Sequence, residues 1–376
     1  MMRNLANIVL LVLFPLLLAT GCRKQIEVED VPQLNIYLHI PYLSMTRADE
    51  GRVPSEIAAE NAIHSLQIWA FLSEDFGELP AGTCIGYLSP SPQFLSNGTL
   101  NHFAMPLDEE LAEAHPDVDL YVLANAISAG YPDLSEQTSR GTLDYLMIRQ
   151  KAFGINENGS PVYTSVPSTG LPFSGVGKGL KMSGTYPVLS LETVTLKRAV
   201  SKLRFVFSQL ADDEGPFNDC SVTGIRINGS CICSQEFVFN EGTEPYKIMN
   251  GMYETTEMVF PAISSANIAC CTEPVRYAFS GQTARAYETL ILQGIADGEL
   301  SSHGLCYLRE SDRKLTGQVD YVLNGTQGSA SFTMKDPGDF ARNHSWIVYV
   351  YFTRDAIQFT VSWTPWEEGH DFVLTN

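Results

Sequence analysis

An all-β fold of two antiparallel β-sandwich domains, with few short helices, is predicted by three features of the sequence. Apolar residues alternate with polar ones in short runs, the pattern of strands buried on one face. Asn-Gly pairs recur at Asn97, Asn158, Asn228, Asn250 and Asn324, and Asn-Gly accepts the positive φ values of tight hairpins. Helical periodicity of similar strength is missing between the strands, which favours sheets packed face to face over βαβ units. At 376 residues the chain also exceeds what one hydrophobic core usually serves.

The chain opens with Arg3 and an almost unbroken apolar run, Ile8 to Leu18, followed by small residues. This is the pattern of an export signal over residues 1–21, too short to span a bilayer as a helix. It ends in Leu18-Ala19-Thr20-Gly21-Cys22, which resembles a bacterial lipobox, so Cys22 is expected to become an acylated N-terminus inserted in outer-membrane lipid. Residues 22–30 then form a lipidated linker.

The first strand is expected over residues 33–40, where Leu34, Ile36, Leu38 and Ile40 share one face. Further strands are expected at Leu66–Phe71, Asp119–Leu123, Lys202–Phe207, Thr223–Ile227, Glu288–Leu292, Trp346–Phe352 and Ile357–Trp363. A helix is expected only at Asp108–Ala114, with acidic residues in its first turn. Pro167–Gly184, rich in Pro, Gly and Ser, is expected to be a loop before a domain boundary near residues 186–192. The expected domains are residues 31–188 and 189–376, each of ordinary size.

Composition excludes several function classes. With 24 Lys+Arg against 43 Asp+Glu the net charge is −19, and removing the leader takes away Arg3 and no acidic residue. Such a chain repels nucleic acid, which requires a basic patch. The eight cysteines leave an odd number besides Cys22. Cys231-x-Cys233 and Cys270-Cys271 lack the two-residue spacing of a zinc site, so partial disulfide pairing or small buried thiols are expected, and no metal. Four of the Asn-Gly pairs also read Asn-Gly-Ser/Thr, formally a glycosylation acceptor; the turn reading is preferred.

No catalytic signature is present: no His-Glu-x-x-His, no Gly-x-Ser-x-Gly and no Walker sequence. Gly175-Val-Gly177-Lys-Gly179 lacks dinucleotide spacing and reads as a flexible turn. The chain is therefore expected to be no enzyme and to need no cofactor. Trp363 continues the alternation of the last strand, whereas Trp366 and Phe372 lie beyond it and are candidates for contact with another subunit.

Taken in order, several short segments resemble the fimbrillins, subunits of the type V pili of Bacteroidota. They are the lipobox at Cys22; Thr46-Arg47-Ala48-Asp49 after the first strand; Glu60–Phe71; Gly170-Leu171-Pro172-Phe173-Ser174-Gly175; Val194–Leu203; and Ala341-Arg342-Asn343-His344-Ser345-Trp346. The resemblance implies two transthyretin-like sandwiches and a surface-exposed outer-membrane lipoprotein that joins a fimbrium. It also implies proteolytic removal of the first strand between Arg47 and Ala48, with Arg52 as the alternative site. The vacated groove would accept a strand from the C-terminal region of a neighbouring subunit, with Trp366, Phe372, Val373 and Leu374 as its apolar anchors here. The expected partners are other fimbrial subunits in a head-to-tail polymer, and a host or bacterial surface ligand. The competing reading is a monomeric surface lipoprotein that binds a glycan or host ligand.

Overall fold

The computed structural model describes residues 31–40, 58–91, 100–148, 153–239, 252–271, 301–333, 342–354 and 357–365. In chain order the strands are β1 (Gln33–His39), β2 (Leu66–Leu72), β3 (Cys84–Leu88), β4 (Leu100–Pro106), β5 (Val118–Ala124), β6 (Met147–Ile148), β7 (Phe173–Leu180), β8 (Ser183–Thr185), β9 (Val188–Ser190), β10 (Val194–Thr195) and β11 (Lys197–Arg198). They continue as β12 (Ser201–Asp212), β13 (Gly215–Pro216), β14 (Cys220–Ile227), β15 (Glu236–Phe237), β16 (Met258–Phe260), β17 (Ala269–Cys271), β18 (Ser301–Leu308), β19 (Thr316–Leu323), β20 (Thr326–Thr333), β21 (His344–Phe352) and β22 (Ile357–Pro365). Among the described residues two short helices, α1 (Glu109–Ala114) and α2 (Arg140–Asp144), and a helical turn over residues 58–60 interrupt them.

These strands pack as an all-β structure around two hydrophobic cores. The first core lies between a sheet in which β1 has β4 along one edge and β9 and β10 in succession along the other, with β8 beyond β9, and a sheet ordered β11-β7-β5-β2-β3. Leu34, Ile36 and Leu38 of β1 meet Ile68, Leu120 and Val122 of the facing sheet in one buried cluster. The second core lies between the sheet built on β12 and the sheet ordered β16-β14-β19-β20. There Leu203, Phe205 and Phe207 join Val222, Ile225, Val319 and Phe332. Leu189, Leu191, Val194, Leu196, Ala199 and Val200 still belong to the first core, and Leu203 to the second.

Most expected elements are present. β1, β2, β5, β12, β14, β21 and β22 cover the alternating runs, while Glu288–Leu292 lies outside the described residues. Helix α1 begins where expected because the Asp108 side chain accepts the Glu110 N–H and Glu109 and Glu110 sit at the positive end of the helix dipole. The β19–β20 hairpin turns at Asn324-Gly325 with φ values of 50° and 78°, as a two-residue type I′ turn requires. Asn97 and Asn250 lie outside the described residues, and Asn228 starts a short 3-10 turn instead of a hairpin.

The reading of the glycine-rich stretch is corrected. The stretch Pro167–Gly184 is not one loop, and Gly175–Gly179 is not a flexible turn, since β7 runs through the glycines between β5 and β11. A Cβ at Gly175 would sit 3.0 Å from the Thr195 carbonyl, and one at Gly177 2.7 Å from the Leu180 side chain, so close approach explains glycine inside this strand. Within these largely antiparallel sheets some neighbours run parallel. β1 runs parallel to β9 and β10, and β12 parallel to β17 and β21. Parallel neighbours require long connections, which alternation within one strand does not reveal.

Candidate functional site: the first strand and its anchor

Leu34, Ile36, Leu38 and Ile40 point into the first core and are 0–2% exposed. Burying four such side chains contributes on the order of 6–12 kcal/mol at about 1.5–3 kcal/mol each. The backbone of β1 is bonded along both edges. One edge pairs antiparallel with β4 from Gln33↔Pro106 to His39↔Leu100, and the other is shared by β9 and β10. Single bonds close the gaps, with the Leu191 N–H donating to the Asn35 carbonyl at 3.0 Å and the Leu196 N–H to the His39 carbonyl at 2.9 Å. On the outer face His102 Nε2 lies 2.7 Å from Asn35 Oδ1, and the Tyr37 and His102 rings are 5.1 Å apart. β1 is thus an interior strand that comes first in the described chain. Only residues 41–57, which contain Arg47 and Arg52, connect it to the remainder of the sandwich.

The chain is fixed again immediately beyond that connection. Glu60 is fully buried, and its Oε1 lies 2.6 Å from Lys202 Nζ and accepts the Tyr307 hydroxyl at 2.7 Å. Arg198, also fully buried, donates from Nε to the Glu60 carbonyl at 3.3 Å and from Nη2 to Asn61 Oδ1. Its own N–H donates to Asn343 Oδ1 at 3.2 Å, and its guanidinium lies 4.9 Å from the centre of the Phe173 ring. Asn125 holds the next residues: its Nδ2 donates to the carbonyls of Ala62 and Leu171, and its Oδ1 accepts the His64 N–H at 2.7 Å. Asn125 has a φ of 56°, and a Cβ on Gly170 would come within 2.3 Å of its Nδ2. Glycine at 170 leaves the space this amide fills.

A second charged group joins the two cores nearby. Arg342 Nη2 lies 2.5 Å from Glu236 Oε1 and 2.8 Å from Glu310 Oε1, and Arg342 Nη1 donates to the Val238 carbonyl at 2.8 Å. Burial pushes Glu236 well above the ordinary carboxylate range; Arg342 opposes this and Glu310 reinforces it. Burial also disfavours charge on Arg342, but its two carboxylates hold its pKa above the ordinary value. One guanidinium facing two carboxylates in a dry site stays charged, and Glu236 is the carboxylate driven toward its neutral form. Arg309, with Nη2 2.7 Å from Glu254 Oε1 and Nε donating to the Cys233 carbonyl, is shifted down by burial.

Of the residues singled out in the sequence, Leu34, Ile36 and Leu38 lie on the inner face of β1, and Ile40 continues that face just beyond it. Cys22, Arg47, Ala48, Arg52, Trp366, Phe372, Val373 and Leu374 lie outside the described residues. β22 includes Trp363, paired in register with Trp346. Sequence reasoning assigns no role to Glu60, Asn61, Asn125, Arg198, Lys202 and Arg342, although all except Asn125 lie within segments that carry the fimbrillin resemblance. The signal for Lys202 is a charge before the apolar run of β12; Asn125 has none. Among the described residues Cys84, Cys220, Cys231, Cys233, Cys270 and Cys306 are unbridged, and no group of His, Cys, Asp and Glu is placed to hold a metal. Burial pushes the thiols of Cys220 and Cys233 up to about 12, where they carry little thiolate. No described helix is long and apolar enough to cross a membrane.

No family model matches the sequence, and no curated protein matches it significantly. Solved structures align with this chain over most of their length. A cell-adhesion candidate from Parabacteroides distasonis has a TM-score of 0.48 at 13% identity, covering 90% of this chain and 98% of that one. The tip fimbrial protein Mfa3 from Porphyromonas gingivalis, truncated at its C-terminus, has a TM-score of 0.45 at 13% identity, covering 88% and 100%. A cell-adhesion candidate from Bacteroides eggerthii has a TM-score of 0.45 at 11% identity, covering 89% and 96%. Likeness at this level assigns no function.

Proposed function

We propose that this chain is a structural or accessory subunit of a cell-surface fimbria, exported as a lipoprotein acylated at Cys22 and assembled by protease-triggered strand exchange. The observation that carries the proposal is the placement of β1: an interior strand, apolar on its inner face and bonded along both edges, joined to the remainder only through the segment containing Arg47 and Arg52. A cut in that segment would leave β1 held by burial and pairing alone. Its departure would expose an apolar groove and unpaired backbone groups on β4, β9 and β10, a state too costly to persist in water. A strand of alternating side chains from another subunit fills such a groove through backbone hydrogen bonds.

The donor is the C-terminal stretch with Trp366, Phe372, Val373 and Leu374, and polymerisation is head-to-tail because donor and groove are different surfaces of one chain. The two domains are residues 31–188 and 189–376, with Leu189 to Val200 at the start of the second packed in the first core. The chain works at the outer membrane by assembly and adhesion, without catalysis or a cofactor. Deletion of Phe372–Asn376 tests the donor assignment. The expected product is a folded, acylated monomer that no longer enters polymers seen by denaturing electrophoresis without boiling. Normal polymers from the truncated chain would refute the assignment, and loss of folding would place the tail in its own core.

A further inference from the structure

We propose that Glu60 is a positioning residue that clamps the chain just beyond the processing segment, so that a cut there frees β1 without unravelling the sandwich that must receive a new strand. This inference rests on the strand-exchange reading above and adds a part to it.

Before any cut, residues 58–65 are restrained from both sides, by β1 through residues 41–57 and by β2. A cut converts them to a free end, and free ends fray until an anchoring contact stops them. The first such contact is Glu60. Its carboxylate meets Lys202 of β12 and Tyr307 of β18, while its carbonyl and the Asn61 side chain meet Arg198 of β11. Arg198 is tied in turn to Asn343 beside β21, whose N–H donates to the Val200 carbonyl at 2.9 Å. The clamp therefore draws on β12 and β18 of the second sandwich and on β11 of the first, none of which pairs with β1.

The position of Arg198 gives this arrangement a purpose. It pairs opposite Phe173 in β11–β7, two residues after the Leu196 N–H that bonds β1 at His39. Strand β10, which lines the groove, thus lies between two fixed points: its bonds to β1, which strand exchange breaks, and Arg198, which the clamp retains. Without the clamp, only the Asn125 contacts to Ala62 and His64 separate the new end from β2 at Leu66, and β2 is the partner of β5 in the floor of the first core.

The test uses the full chain with a recognition site for a sequence-specific protease in place of residues 44–50, and reads hydrogen exchange at Ala62 and His64 before and after cutting. The Ala62 N–H donates to the Ala59 carbonyl and the His64 N–H to Asn125, so both report whether the end stays closed. With Glu60 present, protection after the cut is expected to change by no more than about twofold. In Glu60→Gln/Lys202→Met, which removes both buried charges together, protection should be normal before the cut and fall by about tenfold or more after it. Tyr307→Phe, which deletes only one donor, provides a milder second variant and should show a smaller fall of about threefold. Protection that survives the cut unchanged in both variants overturns the clamp. Mass spectrometry of the same samples after addition of a peptide spanning residues 364–376 as donor shows whether the stretch 33–40 is displaced: its retention would sink strand exchange, while the two amides decide the clamp either way.

Discussion

Lys202 Nζ lies 2.6 Å from Glu60 Oε1, and neither side chain reaches solvent. The pair joins the segment before β2 to the start of β12, and so connects the two cores through one ion pair. A buried pair adds little net stability over a well-packed apolar one, but removing a single partner leaves the other charge stranded. Glu60→Ala should therefore cost about 3–5 kcal/mol in urea unfolding, and Glu60→Gln/Lys202→Met much less. Equal losses from the two variants would mean that the charges are not coupled.

Glu236 provides a pH prediction. Its folded pKa is raised by burial, so the proton it holds stabilises the fold fully below the ordinary carboxylate range, and that contribution disappears as pH rises through the folded value. Glu236→Gln mimics the protonated form. Its melting temperature should match the parent at the ordinary carboxylate range and below, and exceed it once pH rises past the folded value. A variant that falls further below the parent as pH rises would show that the charged carboxylate is the stabilising form.

Gly154 has a φ of 133°, and a Cβ there would lie 2.1 Å from Arg309 Nη2. Gly154→Ala should strain the backbone and displace the guanidinium from Glu254, with a loss of about 3 kcal/mol or more. Arg309→Ala in the Gly154→Ala background should then cost less than Arg309→Ala alone, because the two changes disturb one contact. Additive losses would place the strain elsewhere.

Ile36 sits at the centre of β1 with no exposed surface. Ile36→Ala should destabilise the uncut chain by about 2–5 kcal/mol and speed the release of peptide 33–40 after a cut. A destabilised chain that releases β1 no faster would show that something other than burial retains the strand.

The elements legible in the sequence are those set by local chemistry. β1 announces itself through alternation, β21 through a continuous β-branched and aromatic run, and helix α1 through Asp108 and its acidic first turn. β7 does not, because glycines that permit close approach to Thr195 and Leu180 look the same as glycines in a loop. β20, Thr326–Thr333, carries small polar residues on a largely exposed edge and shows no apolar period. The parallel pairing of β12 with β21 depends on residues more than a hundred positions apart. The Glu60 cluster is hidden for the same reason. Its members lie in separate segments, and only the fold brings Glu60, Arg198, Lys202 and Tyr307 together.

Strand exchange requires that β1 be absent from assembled subunits, and the most direct measurement is the N-terminus of the chain recovered from isolated fibres. The predicted start is Ala48, or Val53 if Arg52 is the residue cut, with no peptide from Gln33–His39 in the digest. Chains that begin at Cys22 and retain that peptide throughout the fibre would contradict strand exchange.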